Sequence, residues 1–230
     1  MRKIFILNVI MLFSITLLFP AKAKIFFVNL YNESADMRLG EEKAPVFYMN
    51  GLDSYTVTRM NVTQKIGTYK LYFKTSSGDK WYFWGDESGN AYDCSIKDGD
   101  VICVLFGYEG SVHYYVLKEP KGPGAFVCLI NGTDETLPKM SVSKYWEDES
   151  IASMKNIGSN AVSNFGLIKP DNYGLFWQFE DQLESEGYYY YPDDNNDILM
   201  FDFENARYYL FMTYVVDGTK YSVRYDISPK

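Results

Sequence analysis

The chain has 230 residues, of which 18% are aromatic, and its 30 acidic and 22 basic residues give a formal net charge of −8. A negative surface repels nucleic acid and anionic lipid headgroups, which argues against both as partners. Tyr and Phe favour strands because a flat ring packs well on a pleated surface, and the chain holds 21 tyrosines. The composition therefore predicts an all-β protein.

Residues 1–23 predict a secretory signal peptide. Arg2 and Lys3 form a positive n-region, residues 4–19 are mostly apolar, and Ala21-Lys22-Ala23 supplies small residues where a signal peptidase reads them. A membrane anchor is the alternative, but an apolar stretch of about 16 residues is short for a spanning helix of about 20. We therefore expect a protein exported to a bacterial periplasm, with no stable membrane span after cleavage. Secretion or a place at the cell surface is the alternative.

The chain after the signal shows short apolar or alternating segments separated by turns, the pattern of a β-sandwich. Strands are predicted in the first half at residues 25–32, 68–74, 80–84 and 111–117, with a hairpin turn at 76–79.

A disulfide is predicted between Cys94 and Cys103. They flank a predicted four-residue turn, Lys97 to Asp100, which would place them opposite each other on a hairpin. Opposed strand residues can lie at disulfide distance, and export favours oxidation. Two reduced core thiols are the alternative, and Cys128 is predicted to be a free buried thiol.

Residues 119–124 predict a linker, because this stretch holds two prolines and two glycines and no periodic apolar residue. We therefore expect two tandem immunoglobulin-like antiparallel β-sandwich domains, at 24–118 and 125–230. Residues 141–172 are polar and mixed, and predict a long loop with one short helix.

The second half repeats patterns of the first in the same order, which favours a duplicated domain. Phe126–Asn131 resembles Phe27–Asn32 at a spacing of 99 residues, and Tyr173–Trp177 resembles Tyr69–Phe73. Residues 208–224 likewise resemble residues 101–117. The alternative is that any two sandwiches share such patterns.

Catalytic machinery is not recognisable in the sequence. His113 is the one histidine, it lies in a predicted strand, and the chain has no Gly-x-Ser-x-Gly motif. One histidine and three scattered cysteines do not supply a zinc site, and no glycine-rich loop precedes a helix. We expect no enzyme activity, no catalytic residue and no cofactor.

A calcium loop is a weaker possibility. Asp193, Asn195 and Asp197 match the first three ligand positions of such a loop, and Glu204 falls at the twelfth. Ile198, however, stands where the loop needs glycine. A solvated acidic turn between two strands is therefore the favoured interpretation.

Two aromatic clusters could form a binding surface. Trp81 and Phe83 would share one face of a strand, and Tyr82 and Trp84 the other, so one pair should face the core and the other solvent. Residues 188–191 repeat this arrangement in the second half. Exposed aromatics mark interfaces, and the candidate binding residues are Trp81, Trp84, Tyr188 and Tyr190.

The ordered strand motifs at residues 27–34, 67–73, 98–105 and 126–133 resemble the periplasmic β-sandwich accessory subunit of the bacterial alginate O-acetylation machinery. The resemblance implies a non-catalytic adaptor that binds envelope acetyltransferase or acetyl-carrier proteins and assists acetylation of an exopolysaccharide. The acidic, aromatic-rich chain would bind a protein in preference to an anionic polymer. The alternative is a carbohydrate-binding or adhesive surface module that uses exposed aromatics.

Overall fold

The computed structural model describes residues 22–41, 43–107, 110–144, 152–180 and 187–230. Residues 1–21 of the predicted signal peptide lie outside the described part of the chain. The described residues form strands and turns with no α-helix, and none of their elements is a helix able to cross a membrane. The all-β prediction is confirmed.

Ten strands lie in the described part of the first half. They are β1 (Ala23–Asn29), β2 (Ala35–Gly40), β3 (Pro45–Leu52), β4 (Thr56–Val57), β5 (Asn61–Thr63), β6 (Gly67–Thr75), β7 (Tyr82–Phe83), β8 (Cys94–Ile96), β9 (Val101–Phe106) and β10 (Val112–Leu117).

The described part of the second half also has ten strands. They are β11 (Ala125–Gly132), β12 (Leu137–Ser143), β13 (Ala152–Ile157), β14 (Ala161–Val162), β15 (Gly166–Ile168), β16 (Asp171–Gln178), β17 (Tyr189–Tyr190), β18 (Phe201–Phe203), β19 (Tyr208–Val216) and β20 (Thr219–Asp226). Three of them, β13 to β15, replace the loop and short helix predicted for 141–172. That prediction was wrong because β14 and β15 are only 2 and 3 residues long, too short for alternation to show, and because β13 mixes polar and apolar residues.

Each half is a sandwich of two five-stranded sheets with the same strand order. In the first half, the inner sheet runs β10-β9-β1-β4 with β5 beside β1, and the outer sheet runs β3-β2-β6-β7 with β8 beside β6. In the second, the inner sheet runs β14-β11-β19-β20 with β15, and the outer sheet runs β13-β12-β16-β17 with β18. The sheets are not purely antiparallel, because β1 pairs with β9, and β11 with β19, in parallel.

The strand registers relate the two halves residue by residue. Met37 pairs with Phe73 in the first outer sheet, and Met140 pairs with Trp177 in the second, so Tyr69–Phe73 and Tyr173–Trp177 are equivalent as the sequence suggests. The first predicted repeat is displaced. Asn131 occupies the place of Asn29 and not of Asn32, so the spacing there is 102 residues.

Asn29 holds the end of β1 to the following loops. Its Nδ2 donates to the carbonyl oxygens of Glu33, Leu52 and Asp53 at 2.8, 2.9 and 3.1 Å, and its Oδ1 accepts the N–H of Tyr31 at 2.9 Å. The side chain is completely buried, so no water competes for these bonds.

Asn131 repeats this arrangement at the end of β11. Its Nδ2 donates to the carbonyl oxygens of Glu135, Ile157 and Gly158 at 2.7, 2.8 and 3.2 Å, and its Oδ1 accepts the N–H of Thr133 at 3.1 Å. The two asparagines form equivalent contacts with equivalent loops, which supports duplication more strongly than the apolar patterns do.

The inner sheets of the two halves pack face to face over a shared core. Alternate residues of β1 and β11 point into it, while the residues between them face the core of their own sandwich, so both strands are buried on both faces. The shared core contains Phe26, Val28, Leu30, Met60, Val101, Cys103, Leu105 and Leu117 from the first half and Phe126, Cys128, Ile130, Phe165, Tyr208, Leu210, Met212 and Ile227 from the second.

Two tyrosines at equivalent places on the edge strands β10 and β20 join the halves reciprocally. Tyr115 Oη donates to the carbonyl of Asn160 at 2.8 Å, and Tyr225 Oη donates to the carbonyl of Tyr55 at 2.9 Å. Both acceptor residues have left-handed backbones, with φ of 53° and 55°, and each precedes the short strand β14 or β4. The contact between the halves therefore has an approximate two-fold symmetry.

The predicted linker also contacts both halves. Glu119 accepts hydrogen bonds from Lys24 Nζ at 2.7 Å and from Tyr208 Oη at 2.6 Å, so one carboxylate ties β1 to β19. Among the described residues, no strand that precedes residues 119–124 pairs with a strand that follows them. The domain bounds 24–118 and 125–230 stay a prediction, as does cleavage after Ala23, a residue that here lies in β1.

The predicted disulfide is wrong, because all three cysteines are free and buried. Residues 97–100 connect two sheets and do not close a hairpin: β8 pairs with β6 in the outer sheet, and β9 with β1 in the inner sheet. Cys94 faces the core of the first sandwich, whereas Cys103 points to the other side of the inner sheet, into the shared core. The prediction of a buried, free Cys128 is confirmed.

We predict that the denatured, unreduced protein takes up three alkyl groups, one for each thiol, measured by intact mass. Burial raises the pKa of the Cys94 thiol to about 12, so the reactive thiolate is scarce while the protein is folded. Uptake of a single group would show that two of the cysteines pair.

Replacing Asn131 by Asp should lower the free energy of unfolding by about 3 kcal/mol or more, because a carboxylate would face three carbonyl oxygens in a buried site. Asn29→Asp should behave alike, while Asn195→Asp on an exposed turn should change stability by about 0.5 kcal/mol or less. Urea denaturation measures all three. Equal stabilities of Asn131→Asp and Asn195→Asp would contradict the role of the buried amide.

Candidate functional site

The outer face of the first outer sheet carries a row of side chains that crosses four strands. The register places Tyr48 of β3 beside Arg38 of β2, then Tyr72 of β6, then Phe83 of β7. Neighbouring strands lie about 4.8 Å apart, so the row extends over about 14 Å. We call these four residues, with Trp81, the aromatic row.

The two ends of the aromatic row are open to solvent. Tyr48 is 63% exposed and Phe83 is 40% exposed. The Arg38 guanidinium stacks on the Trp81 ring at 3.9 Å from its centre, and Lys74 Nζ lies 5.8 Å from the same ring. The row thus combines aromatic surface with local positive charge on an otherwise acidic protein.

The predicted division of residues 81–84 between two faces holds for the pair in β7. Phe83 lies on the same face as Tyr72, while Tyr82 lies on the opposite face, where its ring centre is 5.9 Å from that of Phe73 and the residue stays 57% exposed. Trp84 is not part of the row. It is half-buried against the core of the first sandwich, 4.9 Å from Tyr92.

The equivalent face of the second half is closed. Ser141 and Phe176, which replace Arg38 and Tyr72, are 1% and 0% exposed. Tyr188 packs edge-on against Phe176 at 5.7 Å, and Tyr190 donates its hydroxyl to the carbonyl of Asn196 at 2.8 Å. These two predicted binding residues therefore help to cover their sheet, although Tyr188 remains 39% exposed.

A groove of about 310 Å³ opens between the edge strands β17 and β20 of the second half. It is lined by Trp177, Tyr189, Tyr190, Tyr191, Pro192, Lys220 and Ser222. The rings of Trp177 and Tyr189 stack with centres 6.2 Å apart and planes inclined by 18°. Of these residues, only Tyr190 is among the binding candidates that the sequence predicts. Two features of the sequence could have identified the other aromatic residues: the alignment of Trp177 with Phe73 and the alternation within residues 188–191. No sequence pattern marks Lys220 or Ser222.

The calcium candidate is a hairpin turn that the first half also contains. Asp193 Oδ1 accepts the N–H groups of Asn195 and Asp197 at 2.8 and 2.9 Å, and Asp86 Oδ1 likewise accepts the N–H of Asn90 at 2.8 Å. The hydrogen bonds from Asn90 lower the pKa of Asp86.

Glu204, the fourth calcium candidate, forms an ion pair with Arg207 at 3.5 Å. Among the described residues no cluster of three or more His, Cys, Asp or Glu side chains could hold a metal ion. The Asp193 carboxylate instead organises its own turn, which fits the favoured interpretation of the loop.

His113 lies on β10 and contacts the hydroxyl of Ser111, with 2.9 Å between Nε2 and Oγ. Burial lowers the pKa of the imidazole, and its ring stacks on Tyr115 at 5.9 Å. Tyr115 is one of the two tyrosines that join the halves. His113 therefore packs at the edge of the shared core.

No protein-family model matches the chain, and no curated protein sequence matches it significantly. Among solved structures, it is similar to the tip fimbrial protein Mfa3 from Porphyromonas gingivalis with a C-terminal truncation, at 9% identity and a TM-score of 0.30 over 89% of this chain and 98% of that one. A family CBM26 domain of Eubacterium rectale Amy13K, solved with maltoheptaose, matches at 10% identity and a TM-score of 0.30 over 90% and 98%.

A candidate cell adhesion protein from Bacteroides uniformis ATCC 8492 matches at 8% identity and a TM-score of 0.23 over 90% of this chain and 99% of that one. At these identities and TM-scores, the similarity assigns neither a function nor a partner. None of the three descriptions concerns alginate acetylation, so the adaptor role stays a prediction.

We predict that calcium leaves the melting temperature unchanged, because in the described part of the chain Asp193 does not converge with two further His, Cys, Asp or Glu side chains. A ligand present at 100 times its dissociation constant would stabilise the fold by about 2.7 kcal/mol, a shift that thermal melting detects readily. Magnesium serves as the control for ionic strength. A rise with calcium that disappears in Asp193→Asn would contradict this account.

Proposed function

We propose that this protein is an exported, non-catalytic module that binds saccharide chains through the aromatic row. The observation that carries the proposal is the exposure of Tyr48 and Phe83 at the two ends of a row held in register across four strands. Packing of the core does not explain why large aromatic rings stay exposed to water on the face of a sheet.

The chemistry of the row suits a sugar polymer. Aromatic rings offer rigid apolar surface at a low cost in conformational entropy, and the C–H faces of pyranose rings stack on such surfaces. A length of about 14 Å exceeds what a single ring covers, so we expect an oligosaccharide to bind better than its monosaccharide.

The charges beside Trp81 supply polarity. Arg38 and Lys74 lie at 3.9 and 5.8 Å from its ring centre, and a guanidinium donates readily to hydroxyl or carboxylate oxygens. The acidic remainder of the protein would still disfavour a densely anionic polymer. Neutral or sparsely charged polysaccharides are therefore the expected class.

The adaptor role in exopolysaccharide O-acetylation stays open as a separate proposal. An adaptor would use the same face for a protein, with envelope acetyltransferase components as the partners. Pull-down from the native envelope distinguishes the two, since an adaptor recovers the acetyltransferase and a saccharide module recovers glycan.

A glycan array followed by calorimetry tests the saccharide proposal. Tyr48→Ala and Trp81→Ala should each weaken the binding of the selected oligosaccharide by about tenfold, or 1.4 kcal/mol. Tyr221→Ala is the matched control, because Tyr221 is 46% exposed and lies on β20 in the other half. Array binding that survives Tyr48→Ala and Trp81→Ala together would overturn the role of the row, and an array without any bound glycan would overturn the proposal itself.

A further inference from the structure

Strand β3 forms one edge of the first outer sheet, and no described strand pairs with its other side. The N–H of Ser76 donates to the carbonyl of Ser34 at 2.9 Å, so alternate residues of β2 bind β6 and the residues between them bind β3. Met37 is one of the latter, and its partner in β3 is Met49. The backbone N–H and C=O of Tyr48 therefore point away from the sheet.

The free part of this edge is short. Asn50 is exposed and follows Met49, so its backbone N–H also points outward. At the start of the strand, Lys65 Nζ already donates to the carbonyl of Val46 at 2.9 Å. An outward N–H and C=O can bind a further strand, and the edge offers them at Tyr48 and Asn50.

The equivalent edge of the second half is protected by a charge. β3 contains no charged residue, whereas its counterpart β13 contains Lys155. Because Met154 of β13 corresponds to Met49 of β3, Lys155 stands at the place of Asn50, and its side chain is exposed. Lysines on edge strands discourage pairing with another chain. The first half lacks this protection on β3.

The two ends of β3 carry opposite charges. Lys65 lies at the start of the strand, and the exposed Asp53 follows its end. In an antiparallel pair of two β3 strands, the start of each strand lies beside the end of the other, so each Lys65 would approach Asp53 of the second copy. The edge is thus complementary to itself, although the net charge of −8 makes most other surfaces of two copies repel each other.

A cavity of about 540 Å³ opens beside the same edge, and its apolar lining comes from Met49, Leu52, Val57 and Met60. Met49 is partly buried against the core of the first sandwich. In a pair of β3 strands the two Met49 side chains would lie opposite each other on this side of the sheet, so each would cover part of the other's cavity. The pairing would therefore bury apolar surface as well as form hydrogen bonds.

We propose that β3 is a dimerisation strand, which pairs antiparallel with β3 of a second copy of this chain. Tyr48 of each copy lies opposite Asn50 of the other, and the two residues exchange backbone hydrogen bonds. The pairing joins the two five-stranded outer sheets into one continuous sheet. A two-fold axis relates the copies, as in most homodimers.

The dimer extends the surface that we propose binds saccharides. Opposite residues in antiparallel strands point to the same face, so the two aromatic rows lie on one face and meet at Tyr48. With strands about 4.8 Å apart, the joined rows extend over about 34 Å. This consequence rests on the proposed function, whereas the pairing itself does not.

Sedimentation velocity of the protein without saccharide tests the pairing. Two short strands bury a small interface, so we expect a reversible dimer with a dissociation constant in the micromolar range. Asn50→Pro should raise that constant by about thirtyfold or more, because proline removes both interchain hydrogen bonds that residue 50 donates. The N–H that it removes points outward, so the fold should persist, which circular dichroism checks.

Two further variants make the result specific. Lys155→Pro removes the equivalent outward N–H from β13 and should leave the dimer unchanged. Asn50→Lys gives β3 the charge of β13 and should weaken the dimer without constraining the backbone. A chain that stays monomeric at high micromolar concentration, or a dimer that Asn50→Pro and Asn50→Lys both leave intact, would overturn the proposal. Since no saccharide is present, failure of the pairing is separable from failure of saccharide binding, which the glycan array measures.

Discussion

The packing of two like sheets over one shared core is the constraint on which the rest of this structure depends. Because β1 and β11 are covered on both faces, each sandwich loses one of its two solvent faces to the other. The burial of apolar side chains between the sheets supplies the driving force. The reciprocal hydrogen bonds of Tyr115 and Tyr225 then fix how the sheets meet.

This arrangement limits where a ligand can bind. The inner sheets are enclosed, which leaves the outer faces and the sandwich edges. The halves use these surfaces differently, because Arg38 and Tyr72 of the first half are replaced by the buried Ser141 and Phe176 of the second. The outer face of the first half therefore stays open along the aromatic row, whereas the equivalent face of the second half is closed.

The sequence predicted the class of the fold because periodicity reports directly on strands. It predicted the equivalence of Tyr69–Phe73 with Tyr173–Trp177 for the same reason. It misplaced the register of the first repeat by three residues, since runs of apolar residues that are buried on both faces carry no alternation to align. Asn29 and Asn131 were the better markers, and their polarity within apolar strands was visible in the sequence.

The prediction of a Cys94–Cys103 disulfide failed for a different physical reason. A turn such as residues 97–100 has the same residue types whether it closes a hairpin or crosses between sheets, so the Cys94–Cys103 distance could not be inferred from spacing. Alternation showed that Trp81 and Phe83 share a face, but only tertiary packing decides that this face is open.

Calorimetry tests the central claim most directly, because a shared core should make the two halves unfold together. We predict one thermal transition for the whole chain, with equal calorimetric and van't Hoff enthalpies. Two resolved transitions, or a calorimetric enthalpy well above the van't Hoff value, would show that the halves unfold independently and would contradict the account.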